Sequence, residues 1–183
     1  MIKIGLTGNI ASGKSTVEAV VAQFGHKIAD LDKVSHELLE TVCREEVLRV
    51  FGTIERKELS KIVFNDKNEL KKLENIIHPR LKEYILKFFE ENKNEKMLFI
   101  SGALIYEAGF DKLFDKIIFV DAQYNLRLQR LMKRNSFDEE EAIKRINAQN
   151  DNFKDKADFV IQNDGSLDDL KINTAKILAE ITN

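Results

Sequence analysis

The sequence has no tryptophan, one cysteine (Cys43), one proline (Pro79) and three histidines among its 183 residues. A lone cysteine excludes an internal disulfide and fits a reducing compartment. Cys43 lies in a helical-looking stretch and reads as a small buried or half-buried residue. The absence of tryptophan and the twelve phenylalanines point to a core built from Phe, Leu and Ile. An excess of one charge is also missing: Lys+Arg 29 against Asp+Glu 31 leaves a net charge of −2. That balance argues against a general nucleic-acid binder, whose footprint is strongly basic. No apolar run approaches the ~20 residues that cross a bilayer. The chain starts in a strand-like run, not a signal-like segment. A cytoplasmic protein is expected, a monomer or small homo-oligomer, with neither membrane nor nucleic acid as partner. There is no repeat, low-complexity tract or Pro/Ser-rich linker. A hydrophobic content of 43% over this length supports one ordinary domain with room for a small insertion.

What is present is concentrated near the start. Gly8-Asn9-Ile10-Ala11-Ser12-Gly13-Lys14-Ser15 matches G-x-x-x-x-G-K-[ST], the phosphate-binding P-loop. Ile2 to Thr7 reads as a strand feeding it. Val17, Val20, Val21 and Phe24 follow at i, i+3, i+4, i+7, one face of a helix. The turn's N–H groups and the helix dipole both favour an anion there. The expected nucleotide cradle is Gly8, Ala11, Ser12, Gly13, Lys14, Ser15 and Thr16. Lys14 adds a positive charge toward the β- and γ-phosphates, and the Ser15 hydroxyl can hold Mg²⁺.

Short apolar runs then alternate with helical patterns, as in parallel strands buried on both faces. His26 to Ala29 reads as a second strand, ending in Asp30-Leu31-Asp32. Met97 to Ile100 is a third, Lys116 to Val120 a fourth ending at Asp121, and Phe159 to Ile161 a fifth ending at Asn163-Asp164-Gly165. Residues 167–182 form a last helix with Leu170, Thr174, Ile177, Leu178 and Ile181 on one face. Between strands two and three the alternation stops. Leu70, Leu73, Ile76 and Ile77 make one helical stripe, and Leu81, Ile85, Phe88 and Phe89 another; both read as core and not as a ligand groove. Helices at about 123–134 and 139–150, rich in Arg and Glu, separate strands four and five. The expected fold is α/β, a P-loop NTPase with a five-stranded parallel doubly wound sheet. Residues 1–32, 95–122 and 155–183 would form the nucleotide-binding core, 33–94 a helical acceptor-binding insertion and 123–154 a helical lid.

This layout suggests a small-molecule kinase. No Asn-Lys-x-Asp motif marks a GTPase, and the chain is short for a motor or transporter ATPase. A lid that closes over the phosphates excludes water, which would otherwise compete as acceptor. Asp32, just past a strand's C-terminal end where open α/β sheets place ligands, is a candidate to orient and deprotonate the acceptor hydroxyl. Asp30 could bind Mg²⁺ through water or support the loop. Either carboxylate could instead cap the following helix. The third strand ends in Ser101, not in the acid of a Walker-B strand. Arg130, Arg134 and Arg145 are lid candidates, since a guanidinium grips phosphate oxygens bidentately. Arg134, at its helix end, is the favoured one and could also stack on adenine. Arg145 could equally pair with Glu141, one turn earlier. His78 before Pro79 reads evenly as a helix break or an acceptor contact. His26 and His36 carry no motif.

Several segments together resemble one family. Ile4 to Thr16 is similar to its P-loop, which more often has Gly at positions 9 and 11. Ile28-Ala29-Asp30-Leu31-Asp32 resembles its strand-end D-x-D. Gly52, Arg56, Leu59 and Val63-Phe64 resemble its G-x-x-x-R-x-x-L-x-x-x-V-F pattern, and Ile77-His78-Pro79 its H-P pair. Arg130 to Arg134, Arg145 to Gln149, Ala157-Asp158 and Asn163 resemble its lid and adenine-side segments. The family is that of dephospho-coenzyme A kinase. Ala103-Leu104-Ile105-Tyr106-Glu107 departs from its P-L-L-x-E by losing the proline and keeping the glutamate. The resemblance implies ATP-dependent phosphorylation of the ribose 3′-hydroxyl of dephospho-coenzyme A, with ATP and Mg²⁺ as cofactors. It favours catalysis for Asp32 and implies acceptor binding for Arg56, His78 and Glu107, and nucleotide binding for Arg134, Arg145 and Asn163. Another small P-loop kinase, or a regulatory module that binds ATP without transfer, are the alternatives. Lys14, Ser15 and the two strand-end carboxylates speak against the latter.

Overall fold

A computed structural model describes residues 1–149 and 151–182, without the side chains of Phe64, Asp151 and Asn152. The expected helix end at Asn150 and the side chain of Phe64 in the Val63-Phe64 pair lie outside the described residues. The contacts divide the chain into two units, residues 1–29 with 94–183, and residues 30–93. No helix among the described residues is long and apolar enough to cross a membrane.

The strands are β1 (Ile2–Gly8), β2 (Lys27–Asp30), β3 (Met97–Ser101), β4 (Lys116–Asp121) and β5 (Phe159–Gln162). Their spatial order is β2-β3-β1-β4-β5. β1 pairs in parallel with β3 and β4, and β4 with β5. All of β3 is buried, and β1 is buried from Ile4 onward, as in parallel strands covered on both faces. Helices α1 (Lys14–Gln23) and α8 (Leu167–Thr182) pack on this sheet. The core joins Ile4, Leu6, Val17, Val21, Phe99, Ile118, Val120, Ile161, Leu170 and Leu178. The stripe expected on the last helix is found there, with Ile177 and Ile181 at the core's margin. Phe24 is a correction. It caps α1 and is 50% exposed, because the backbone leaves the helix before the next turn, through Gly25 at φ 83°. Between β4 and β5 stand α6 (Tyr124–Asn135) and α7 (Glu139–Asn147), joined through Leu131, Ala142 and Ile146.

The second unit contains α2 (Leu31–Glu40), α3 (Arg44–Phe51), α4 (Arg56–Asn65) and α5 (Lys67–Glu91). Pro79 does not break α5, which runs through it. Ile77, Leu81, Ile85 and Phe89 recur every fourth residue and are buried, and α5 packs on α2, α3 and α4. That packing on both sides of Pro79 outweighs the one backbone hydrogen bond a proline removes. Cys43 is buried before α3, with Sγ 3.9 Å from the Ile76 carbonyl oxygen.

Candidate active site

The loop after β1 has the geometry its two glycines dictate. A Cβ on Gly8 would lie 2.3 Å from the Val120 carbonyl oxygen, so β4 admits no side chain there. Gly13 has φ 98°, and a Cβ on it would lie 2.1 Å from Asn163 Nδ2. Ala11 also has a positive φ, 59°, which an L-residue adopts at a cost. Ile10 and Ala11 pack against the Leu131, Ala142 and Ile146 cluster, and Ile10 N–H donates to Gln149 Oε1 at 2.5 Å. The loop closes on itself through Ser12 N–H to the Asn9 carbonyl, 3.1 Å, and Thr16 N–H to the Gly13 carbonyl, 2.9 Å. Ser12 Oγ is buried with no hydrogen-bond partner among the described residues. Lys14, Ser15 and Thr16 form the first turn of α1, and Ser15 is exposed.

Lys14 Nζ donates to Glu18 Oε1 at 2.9 Å and to Ser101 Oγ at 2.9 Å. At the end of β4, Asp121 accepts from Asn9 Nδ2 at 3.4 Å and from Lys154 Nζ at 2.7 Å. The strand ends thus fix both flanks of the loop. Asn163, just past β5, is buried; its Nδ2 donates to the Ser12 carbonyl at 2.7 Å. The Asn163 carbonyl accepts from Arg130 Nη2 at 3.0 Å, while Arg130 Nη1 is buried without a hydrogen-bond partner among the described residues. Arg134 is exposed, with Nε donating to Asn135 Oδ1 at 2.8 Å. Arg145 forms the helix-surface pair with Glu141 at 2.9 Å and lies over the Phe137 ring.

Beyond β3, Tyr106 stacks on Phe153 at 4.9 Å between ring centroids. Its hydroxyl is buried without a hydrogen-bond partner among the described residues, and burial, with Asp111 and Asp158 nearby, pushes its pKa up to about 12. Glu107 reaches solvent, yet the protein packed around it raises its carboxyl above the usual range.

In the helical unit, Asp30 is the N-cap of α2: its Oδ1 accepts from Asp32 N–H at 3.0 Å, and its Oδ2 pairs with Lys33 at 3.5 Å. The cap reading therefore holds for Asp30. Asp32, in the first helical turn, lines a cavity of about 320 Å³ together with Ser35, His36 and Arg56. The rest of its wall is largely apolar: Leu39, Leu59, Val63, Leu70, Leu73 and Ile77. Part of the stripe read as core, Leu70, Leu73 and Ile77, thus faces a cavity, which corrects that reading. Asp32 and Arg56 come together here. His78, the residue after Ile77, is half-buried and not among the lining residues; burial lowers its pKa, against the raising effect of Glu74.

A family model described as Dephospho-CoA kinase matches residues 2–169. The chain belongs to the dephospho-CoA kinase family. The dephospho-CoA kinase of Fusobacterium nucleatum is 40% identical over 178 residues, covering 91% of this chain and 92% of that protein. That of Listeria monocytogenes is 40% identical over 179 residues, 90% of each. Among solved structures, the dephospho-CoA kinase from Campylobacter jejuni has a TM-score of 0.72 at 31% identity, covering 98% of this chain and 96% of that one. TT1252 from Thermus thermophilus has a TM-score of 0.88 at 33% identity, covering 100% and 98%. A shikimate kinase from Bacteroides thetaiotaomicron, at 14% identity, covers 100% of this chain and 99% of its own with a TM-score of 0.62, which shows a shared fold.

For this member of the dephospho-CoA kinase family, the sequence assigns no partner to four polar residues on and around the loop. Glu18 is one helical turn from Lys14, a spacing that could have flagged it. Asp121 reads in the sequence as a strand end, and nothing local pairs it with Asn9 or Lys154. Gln149 ends a segment that resembles the family's but carries no contact of its own in the sequence, and Lys154 reaches Asp121 from a distant segment that no local pattern marks. Of the arginines, Arg130 is the one bonded to the Asn163 carbonyl.

Proposed function

We propose that the chain transfers the γ-phosphoryl group of ATP to the ribose 3′-hydroxyl of dephospho-coenzyme A, giving coenzyme A and ADP, the final step of coenzyme A biosynthesis. The observation that carries this reading is the intact loop, with both glycines sterically required, on a chain whose family match spans residues 2–169. The loop's N–H groups and Lys14 bind and orient the phosphates. Phosphoryl transfer has a loose transition state, so catalysis is mostly positioning and charge stabilisation. Arg130, Arg134 and Arg145 are the guanidinium donors available to the transferring group and the adenine side. Asp32 orients the acceptor hydroxyl and accepts its proton. Arg56, which lines the same cavity as Asp32, pairs with acceptor phosphate, and His78 and Glu107 belong to the acceptor side.

Mg²⁺ fits this donor set in one way. Among the described residues no group of three or more His, Cys, Asp or Glu could hold an ion. Ser15, exposed on the first turn of α1, would hold it jointly with the nucleotide's own phosphates. Bound there, the ion would supply charge neutralisation at the phosphate oxygens. A cytoplasmic setting and a monomer or small homo-oligomer complete the reading.

Incubation with dephospho-coenzyme A and MgATP, followed by mass detection and phosphorus NMR, tests it. New phosphate on the ribose 3′-oxygen is expected, with AMP, CMP and UMP far slower. Lys14→Ala should lower turnover by orders of magnitude in a folded protein. A preferred nucleoside monophosphate, or ATP hydrolysis without an acceptor, would overturn the acceptor assignment and leave the nucleotide site standing.

A further inference from the structure

Lys14 is held by two side chains outside the G-x-x-x-x-G-K-[ST] pattern. Its Nζ lies 2.9 Å from both Glu18 Oε1 and Ser101 Oγ, and the Ser101 hydroxyl donates to the same Glu18 oxygen. Ser101 is fully buried, and the Lys14 and Glu18 side chains are only 16% and 14% exposed. Other helical Lys–Glu pairs of this chain differ. Lys87 and Glu91 are 74% and 59% exposed, a solvated pair of the ordinary kind. P-loop enzymes commonly place an acid at the end of a neighbouring strand beside the loop's hydroxyl. Here β3, the neighbour of β1, ends in Ser101. Glu18, three residues beyond Ser15 and so on the same face of α1, brings a carboxylate to that strand end.

We propose that Glu18 supplies from α1 the carboxylate that the end of β3 lacks, and that with Ser101 it positions the Lys14 ammonium for the nucleotide's phosphates. This rests on the nucleotide-site reading above. A lysine has a flexible four-carbon stem, and its direction must be fixed at binding unless the protein fixes it beforehand. Two of the three ammonium donors are directed by groups that belong to α1 and β3. The charge of Glu18 works in both directions, since a carboxylate also repels the phosphates. A Glu18 that merely obstructed the site would give the opposite sign in the experiment below.

The test is calorimetric titration of ADP with Mg²⁺ into the full chain, without acceptor. Parent, Glu18→Gln, Glu18→Ala, Ser101→Ala and the double variant Glu18→Ala/Ser101→Asp are compared. Glu18→Ala is expected to weaken ADP binding about tenfold, as for coupled groups in direct contact. Glu18→Gln keeps an acceptor oxygen without the charge and should fall between. The double variant returns a carboxylate to the strand end and should recover most of the loss, which a structural defect at position 18 would not allow. If Glu18→Ala does not fold, Glu18→Gln and Ser101→Ala decide, each expected to weaken binding measurably. Unchanged or tighter binding in the Glu18 variants, or a double variant no better than Glu18→Ala, would overturn the proposal. The acceptor is absent throughout, so failure here is separate from failure of the acceptor assignment.

Discussion

The side-chain amide of Asn163 donates to the Ser12 carbonyl at 2.7 Å, and the same nitrogen occupies the space a Cβ on Gly13 would need. One contact thus ties β5 to the loop and forbids a side chain at Gly13. Asn163→Ala would leave a carbonyl of the buried Ser12 without this donor, at a cost of about 1–3 kcal/mol. Gly13→Ala adds the left-handed backbone penalty of about 1–2 kcal/mol to the clash. Combining the two should cost less than their sum, because Asn163→Ala removes the clash and leaves only the backbone term. Urea denaturation of the three variants checks this. Strict additivity would show that the two residues do not share this space.

The local features were legible because short-range rules govern them. Strand, glycine turn and helix follow from Ile4 to Val21 alone, and the α8 stripe from its own periodicity. Features set by distant partners were not. Phe24 fits the helical period, but the chain has left the helix there. Pro79 reads as a break, and packing of Ile77 and Leu81 holds α5 straight through it. Leu70 and Leu73 have core periodicity, yet the space between helices, which periodicity does not encode, leaves them facing a cavity. Arg130 and Arg134 are one turn apart on α6 and are alike as sequence; only the position of Asn163 separates them.

Asp30 and Asp32 occupy different roles at one helix start, and their substitutions should separate. Asp30 accepts from the Asp32 N–H, so Asp30→Ala should lower stability by about 1 kcal/mol through the lost cap. Asp32→Asn keeps that backbone donor and should leave the denaturation midpoint nearly unchanged. Its effect should fall on kcat, with ADP affinity retained. A stability loss in Asp32→Asn without a kinetic defect would return Asp32 to a structural role.

Burial holds the His78 imidazole below its ordinary value of 6.5, with Glu74 acting in the opposite direction. The folded state therefore favours the neutral ring, and the unfolded chain takes up the proton first as pH falls. The contribution is intact above the unfolded value and is lost as pH falls through the folded one. Stability should drop between about pH 7.5 and pH 5, and His78→Gln should make that drop shallower. His26 is lowered by burial as well, against Glu95, so one replacement removes only part of the slope. Urea midpoints at the two pH values measure the difference. An identical slope in His78→Gln would show that the ring is not desolvated in the fold.

Ala11 holds φ 59° while it packs, with Ile10, against the cluster of Leu131, Ala142 and Ile146. Two effects oppose each other at this methyl. Glycine would relieve a left-handed strain of about 1–2 kcal/mol. It would also widen the unfolded ensemble, a loss of about 0.4–1 kcal/mol. Losing a half-buried methyl removes roughly a further 0.4 kcal/mol. The terms nearly cancel, so Ala11→Gly should change stability by less than about 0.5 kcal/mol. Ala11→Val has no such compensation. A β-branched residue at positive φ is a genuine outlier, and about 2 kcal/mol or more of destabilisation is expected. Denaturation midpoints measure both effects, and an unchanged m-value would show that the surface exposed on unfolding is the same in all three proteins. A gain above about 1 kcal/mol in Ala11→Gly would mean that the methyl contributes nothing against α6 and α7. A tolerated valine would mean that the loop is free to leave the left-handed conformation.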